Sequence, residues 1–383
     1  MKNIGNKKIA IVGGGPGGLT LARLLQMQDL EVKVYERDLN KDVRVQGATL
    51  DLHDESGLKA LGAAGLMEAF TANFRPGAEK IRIVDKDANI LMDEHVNGTD
   101  KKEGPFRPEI DRGPLRKILL ESLLPDTVAW NSHFTTMKPF NDSWQLEFKN
   151  APPAFADVVI AADGANSKIR PFVTSIKPFY TGITAVEGAV YHAEAATPEI
   201  NRLLKGGKIL AFGGEKTLIV SAKGDGSLAF YPGFKKEEYW YRDSGIDFSD
   251  KRQVLAWFQQ EFSAWGAIWL ELFENADSPF IPRPQYCMPP DQRWDALPNL
   301  TMLGDAAHLM PPYAGEGVNM AMLDALELSA CLTDPVFPNL QAAIASYETQ
   351  MCKRAGETAR MTLDQTASLH SPHAISDMMA VMG

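Results

Sequence analysis

The chain has 383 residues, of which 45% are hydrophobic and 23% charged, so it carries enough apolar material for about two domains with real cores. Its 39 basic and 49 acidic residues leave a net charge of −10, which argues against a general binder of nucleic-acid backbones. Three well-separated cysteines, Cys287, Cys331 and Cys352, form no CxxC or metal spacing and no disulfide framework. No apolar run reaches the ~18 residues of a membrane span. The start MKNIGNKKIAIV is too short and polar for a signal peptide, so a cytoplasmic, monomeric protein with no membrane or nucleic-acid partner is expected.

Lys8 to Val12 reads as a strand, Leu19 to Gln28 as a helix and Val32 to Tyr35 as a second strand, together a βαβ unit. Between strand and helix stands GGGPGG, giving Gly13-x-Gly15-x-x-Gly18, with Pro16 and Gly17 inside it. Gly13 permits the tight turn, Gly15 a close approach of pyrophosphate, and Gly18 close helix–strand packing, while the helix start offers free N–H groups. Glu36 closes the second strand at the spacing of a ribose-binding acid; it would repel a 2′-phosphate, so this half suits FAD or NAD rather than NADP. No second GxGxxG follows a strand, so any second dinucleotide visits transiently.

Further along, Gly57 to Phe70 reads as a helix, Ile81–Val84 and Ile90–Met92 as strands joined by DKDAN, and Pro114 to Leu124 as a helix with proline in its first turn. Ala156 to Ala162 reads as a buried strand ending in Asp163-Gly164, a pair that orders a loop beside a pyrophosphate or simply makes a turn. From Pro178 to Tyr231, short strands and glycine turns suggest a sheet layer; Gln253 to Phe273 is amphipathic and helical.

Leu300 to Leu303 is a strand that runs into GDAAHLMPPYAGEGVN, followed by helices over Val318–Leu332 and Leu340–Leu369. Asp305 is placed to hold ribose or ribityl hydroxyls. The Pro311-Pro312 corner, with no N–H to donate, shapes a rigid wall. Gly315 and Gly317 would present N–H groups at a helix start that favours negative charge. His308 and His53 are weighed as bases against packed turn histidines, and packing is favoured. Met378, Met379 and Met382 either cap a pocket or form a loosely packed tail.

These motifs in this order resemble the group A flavoprotein monooxygenases of the p-hydroxybenzoate hydroxylase type. YERD, RVQGATLDLH, PEIDRGPLRKILL and GDAAHLMPPYAGEGVN look in particular like the tetracycline-inactivating monooxygenases. The resemblance implies an α/β fold: a discontinuous Rossmann-like FAD-binding domain (1–75, 103–175, 283–335), an inserted β-sheet substrate domain (76–102, 176–282) and a C-terminal bridging helix within 336–383. It implies FAD, transient NADPH, O2 and a small-molecule substrate. Carried over by motif, Glu36 and Arg37 meet the adenosine end of FAD, Arg44 and Asp51 lie near the flavin and the nicotinamide route, and Arg112, Asp163 and Asp305 contact FAD. Pro312, Gly315, Gly317 and Val318 border the flavin, and Glu187, Lys208, Tyr313, Ala314 and Gly315 face the substrate. The chain departs from the tetracycline enzymes at Glu187, Lys208 and Ala229, where they have Gln, Arg and His. A hydroxylase of another aromatic natural product and a non-catalytic flavin redox sensor therefore stand as alternatives; a halogenase is disfavoured by the lack of WxWxIP. In this chemistry the flavin does the work, and no catalytic side chain or metal cluster is expected.

Overall fold

The computed structural model describes residues 4–43, 47–96 and 107–382. At its centre is a parallel sheet in the order Leu300–Met302, Val158–Ala161, Ile9–Val12, Val32–Tyr35, Val128–Ala129. Three segments far apart in sequence thus build one Rossmann-like layer. The strands Ile9–Val12, Val158–Ala161 and Leu300–Met302 are buried at every residue, which is why they read as unbroken apolar runs. The first helix, Pro16–Gln26, begins three residues before the apolar pattern does, because Pro16 and Gly17 form its first turn. It packs on the helix Gly317–Thr333, and the two approach closely: a side chain at Gly17 would meet the Ala321 carbonyl at 2.8 Å.

The inserted domain is a seven-stranded sheet in the order Asp277–Cys287, Phe179–Val190, Leu228–Lys235, Lys216–Ala222, Lys208–Gly213, Ile81–Asp85, Ile90–Asp93. The short strands expected after Pro178 begin instead with one of 12 residues, Phe179–Val190. It holds its length by pairing on both edges, with bulged register on one side absorbing the bend. Strand Asp277–Cys287 carries this sheet through Arg283 to Cys287. One sheet face buries Phe230 and Phe234 against Trp257, Phe258, Phe262 and Phe273 of the helical region over Lys251–Glu261 and Leu270–Glu274. The opposite face looks at the domain built on the parallel sheet, which it meets through Lys208 and Glu109.

Two sequence boundaries shift. The expected helix over Gly57–Phe70 is two helices, Gly57–Ala63 and Met67–Thr71, because Gly65 takes a left-handed conformation (φ +72) between them. The helix expected from Pro114 begins at Arg112 and ends at Glu121.

The helix Leu340–Leu369 has the expected limits and bridges the two domains. Its Tyr347 donates to the Met302 carbonyl (3.0 Å) at the central sheet, while its end meets the inserted sheet through Leu369 and His370. The last helix, Ala374–Met382, lies on this second contact: Ala374, Ile375 and Met378 pack with Phe212 and Leu210, whereas Met379 is exposed and the Met382 side chain falls outside the described residues. Among the described residues no helix is long and apolar enough to cross a membrane.

Gly356 marks the tightest approach of the bridging helix, since a Cβ there would sit 2.1 Å from the Pro290 carbonyl oxygen. Backbone cannot yield as a flexible side chain can. Gly356→Ala should lower stability by about 1–3 kcal/mol, measured by denaturant unfolding, despite alanine's better helix propensity.

Candidate cofactor and substrate site

The glycine loop is shaped by contact as well as by conformation. Gly13 has φ +114, and a Cβ would lie 2.1 Å from the Ala162 carbonyl oxygen; a Cβ at Gly18 would lie 2.2 Å from the Gly13 carbonyl oxygen. Gly15, by contrast, faces open space. Glu36, buried at the end of its strand, accepts from the Gly14 N–H (2.5 Å) and the Asp38 N–H (2.9 Å), so it ties the glycine loop to the end of the second strand. A groove of about 320 Å³ runs along Gly13–Pro16, Glu36, Arg37, Asp163 and Gly164 and ends at Arg112 and Arg116. Arg37 is exposed on its rim.

Asp163 accepts the Lys168 N–H (2.8 Å) through one carboxylate oxygen; the other is buried with no partner among the described residues, and burial pushes its pKa up. Lys168 itself is exposed, but Arg170 is buried and fixes this loop to the next one. Its guanidinium donates to the carbonyls of Ala306 (2.7 Å), Asp305 (2.8 Å) and Ala165 (3.0 Å).

Asp305 opens a short helix, Asp305–His308, directly after Gly304. Burial raises the Asp305 carboxyl, against the opposing charges of His308, Arg112 and Arg170. Beneath it lies Asp324, fully buried. One of its oxygens accepts the Gly304 N–H (2.9 Å) and pairs with His308 Nε2 (2.5 Å); the other pairs with Arg354 of the bridging helix (2.6 Å). Arg354 also reaches Glu327 (2.5 Å). His308 is therefore an ion-paired packing residue. Burial pulls its pKa down, but Asp324's charge and hydrogen bond outweigh this and raise it; the same ion pairs hold Asp324 low against the opposing effect of burial.

Pro312, Tyr313 and Ala314 form a 3-10 turn, and the expectation that Gly315 presents a free N–H is corrected: that group donates to the Pro312 carbonyl (3.0 Å) to close the turn. Gly315 is instead needed for its left-handed φ of +71 and for room, since a Cβ there would approach Asp51 Oδ1 to 3.0 Å. Gly317 and Val318 begin the following helix, whose Asn319 was not recognised as a structural partner in the sequence. Fully buried, Asn319 accepts the His53 N–H (2.9 Å) and donates to the Asp51 carbonyl (2.9 Å), so it welds Asp51 to the helix start. His53 is buried between Asp51 (3.1 Å) and Glu316 (3.6 Å). The hydrogen bond that its ring donates to the Asp51 carboxylate raises its pKa against the effect of burial, with Glu316 adding to the rise. Arg44 lies outside the described residues.

On the inserted sheet, strand alternation puts Glu187, Ala229 and Tyr231 on the face toward this helix start. Glu187 is held by Arg283 through Nε (2.9 Å) and Nη2 (2.8 Å). Lys208 is ion-paired with Glu109. Arg112, whose Nε donates to the Ala48 carbonyl (3.0 Å), lies near both sides: it borders the nucleotide groove and feels the charges of Asp305 and Glu187. Tyr313 lies edge-on to His370 (5.1 Å between ring centres), its hydroxyl 3.4 Å from His370 Nε2. Tyr231, Arg283 and His370 were missed in the sequence; for the first two, strand parity with Glu187 was the available signal. Among the described residues no group of three potential metal ligands occurs.

The glycine loop, the unpartnered oxygen of Asp163 and the half-buried Asp305 form a donor and acceptor set that suits a flavin dinucleotide. Residues 297–361 match the model of the FAD binding domain family, and residues 11–40 match that of the NAD(P)-binding Rossmann-like domain. Monooxygenase asqM of Emericella nidulans is 28% identical over 98% of both chains. The chain is similar over nearly its whole length to proteins named as monooxygenases, among them FAD-dependent hydroxylases. Among solved structures, the protein superposes on Klebsiella pneumoniae HpxO complexed with FAD and uric acid (TM-score 0.75, 21% identity, 96% of this chain and 90% of that one). It also superposes on tetracycline destructase Tet(51) (TM-score 0.71, 17% identity, 95% and 91%). At such identities these superpositions speak for the fold and leave the substrate open.

Asp324→Asn should cost about 3–5 kcal/mol, because it leaves His308 and Arg354 without their buried counter-charge. The pH sign follows from the two shifts. The contribution of the depressed Asp324 is present above about pH 4 and lost on acidification; that of the raised His308 is complete below about pH 6.5 and lost as pH rises through its elevated value. Thermal melts should show the largest gap between native protein and variant inside that window, narrowing on both sides.

Proposed function

We propose that this monooxygenase takes electrons from NADPH and inserts one atom of O2 into a polycyclic or phenolic substrate, with tetracycline-type antibiotics as the first substrates to test. The observation that carries the reading is the position of Arg112, which borders the nucleotide groove and faces the charged side of the inserted sheet. Cofactor and substrate sites thus meet at one side chain.

FAD, when bound, supplies electron storage and the activation of O2. The chain's own residues do the rest. Gly13, Gly15, Pro16, Gly17 and Gly18 bring backbone close to the pyrophosphate, with Asp163 and Arg112 beside them. Glu36 and Arg37 take the adenosine end, and Asp305 takes the ribityl hydroxyls. Gly317 and Val318 offer the positive end of a 17-residue helix to the electron-rich edge of the flavin ring. Pro312 and Tyr313 form an apolar wall that excludes water, with Ala314, Gly315 and Asp51 at the edge of the same space. Glu187 and Lys208 face the substrate side.

One observation favours a different aromatic substrate. Glu187 is tied to Arg283 and Lys208 to Glu109, and Ala229 offers no hydrogen bond, so each of the positions at which the tetracycline enzymes differ is engaged or apolar. A pocket built to hydrogen-bond one substrate discriminates strongly against others. Uric acid is the molecule bound together with FAD in the HpxO complex.

The deciding measurement is NADPH oxidation by the FAD-loaded protein in air, with and without tetracycline, combined with mass spectrometry of the product. Faster oxidation with a product heavier by one oxygen atom is the expected outcome. Faster oxidation with peroxide alone would assign the site to another ring system. No oxidation with any phenol tried would overturn the enzyme reading in favour of a flavin redox sensor.

A further inference from the structure

A second cleft of about 670 Å³ opens beside the nucleotide groove and shares Arg112 and Arg116 with it. It runs between the helix Arg112–Glu121, the loop after the second strand at Lys41–Val43, and the hairpin Lys223–Asp225 of the inserted sheet. Six cationic and four carboxylate side chains line it, a local excess of positive charge on a chain whose net charge is −10.

Most of these charges are already committed. Arg116 pairs with Asp38 (2.8 Å) and lies over the Trp130 ring (5.4 Å). Arg75 donates to the Ala222 carbonyl (2.8 Å) and lies 3.8 Å from Asp111, whose other oxygen accepts the Gly224 N–H (2.7 Å). These contacts make a fixed floor that joins the two domains. Lys41 and Lys223, one from each domain, line the cleft with no ion pair among the described residues.

The glycine-loop groove rejects a 2′-phosphate because Glu36 closes it. A phosphorylated dinucleotide must therefore dock elsewhere, yet close enough to reach a flavin bordered by Arg112. We propose that this cleft receives the 2′-phosphate-bearing end of NADPH, with Lys41 and Lys223 as its counter-charges. The proposal rests on the NADPH reading above and adds the site and the means of discrimination from NADH. The size suits the task, since pockets for ligands of this scale span about 300–1,000 Å³. Two flexible, strongly hydrated ammonium groups also suit a ligand that must leave in every turnover, whereas a rigid bidentate clamp would hold it.

The test uses the FAD-loaded protein with Lys41→Ala, Lys223→Ala and the double variant. Steady-state oxidation of NADPH and NADH is measured in parallel, and adenosine 2′,5′-bisphosphate is titrated calorimetrically as a probe that undergoes no turnover. The KM for NADPH should rise about tenfold per lysine, well beyond any rise for NADH, and the bisphosphate should bind the double variant about a hundredfold more weakly. Lys223→Arg, which keeps the charge, should restore most of the binding. Parallel changes for NADPH and NADH, or unchanged bisphosphate binding, would overturn the assignment. If the native protein oxidises NADPH and the lysine variants do so equally well, only the cleft assignment falls. If the native protein oxidises neither nucleotide, the reductant reading falls and the cleft assignment with it.

Discussion

The whole arrangement hangs on one buried carboxylate. Asp324 has no solvent exposure, yet it gathers the Gly304 N–H, His308 and Arg354 around its two oxygens. A lone carboxylate in that position would be untenable; three donors satisfy it. It holds Gly304 in an unusual backbone conformation (φ 59, ψ −145), and that bend ends the strand and opens the short helix Asp305–His308. Through Arg354 the same carboxylate clamps the bridging helix, whose far end meets the substrate-side sheet. The loop after the strand Leu300–Met302 and the bridging helix therefore share a single electrostatic anchor.

A second principle is that the functional loops are held by neighbours instead of by their own sequence. The glycine loop is locked by Glu36, the Asp163 loop by Arg170, and the helix start at Gly317 by Asn319 reaching back to Asp51 and His53. In each case a buried side chain satisfies backbone groups that a tight turn would leave unpaired. The second oxygen of Asp163, at the groove beside the glycine loop, is left without a partner among the described residues. Preorganisation of this kind lowers the ordering cost of cofactor binding. Arg112 stands where the groove beside the glycine loop and the cationic cleft meet.

The substrate side follows a different logic. There the sheet face carries ion pairs between protein groups, Glu187 with Arg283 and Lys208 with Glu109. Such pairs give a pocket shape and polarity while leaving few free donors. Strand positions on this face are remote in sequence from the anchor at Asp324, so they can be exchanged without touching it.

By itself, the sequence determined the cofactor half. GGGPGG, the terminal Glu36, the Asp163-Gly164 pair and the Gly304–Asn319 stretch are local motifs whose geometry is dictated within a few residues, so their fold and ligand class could be read directly. The bridging helix was equally legible, since 30 residues of uninterrupted helical pattern leave little choice. What only the tertiary structure decided are pairings between distant segments. Asp324 with Arg354, Glu187 with Arg283, and Asn319 with Asp51 are separated by 30, 96 and 268 residues. The break at Gly65 and the N–H of Gly315 that closes its own turn depend on backbone conformations that glycine permits but does not impose. Chain pattern specifies which groups must be buried; only the packed fold specifies which partner each buried charge finds.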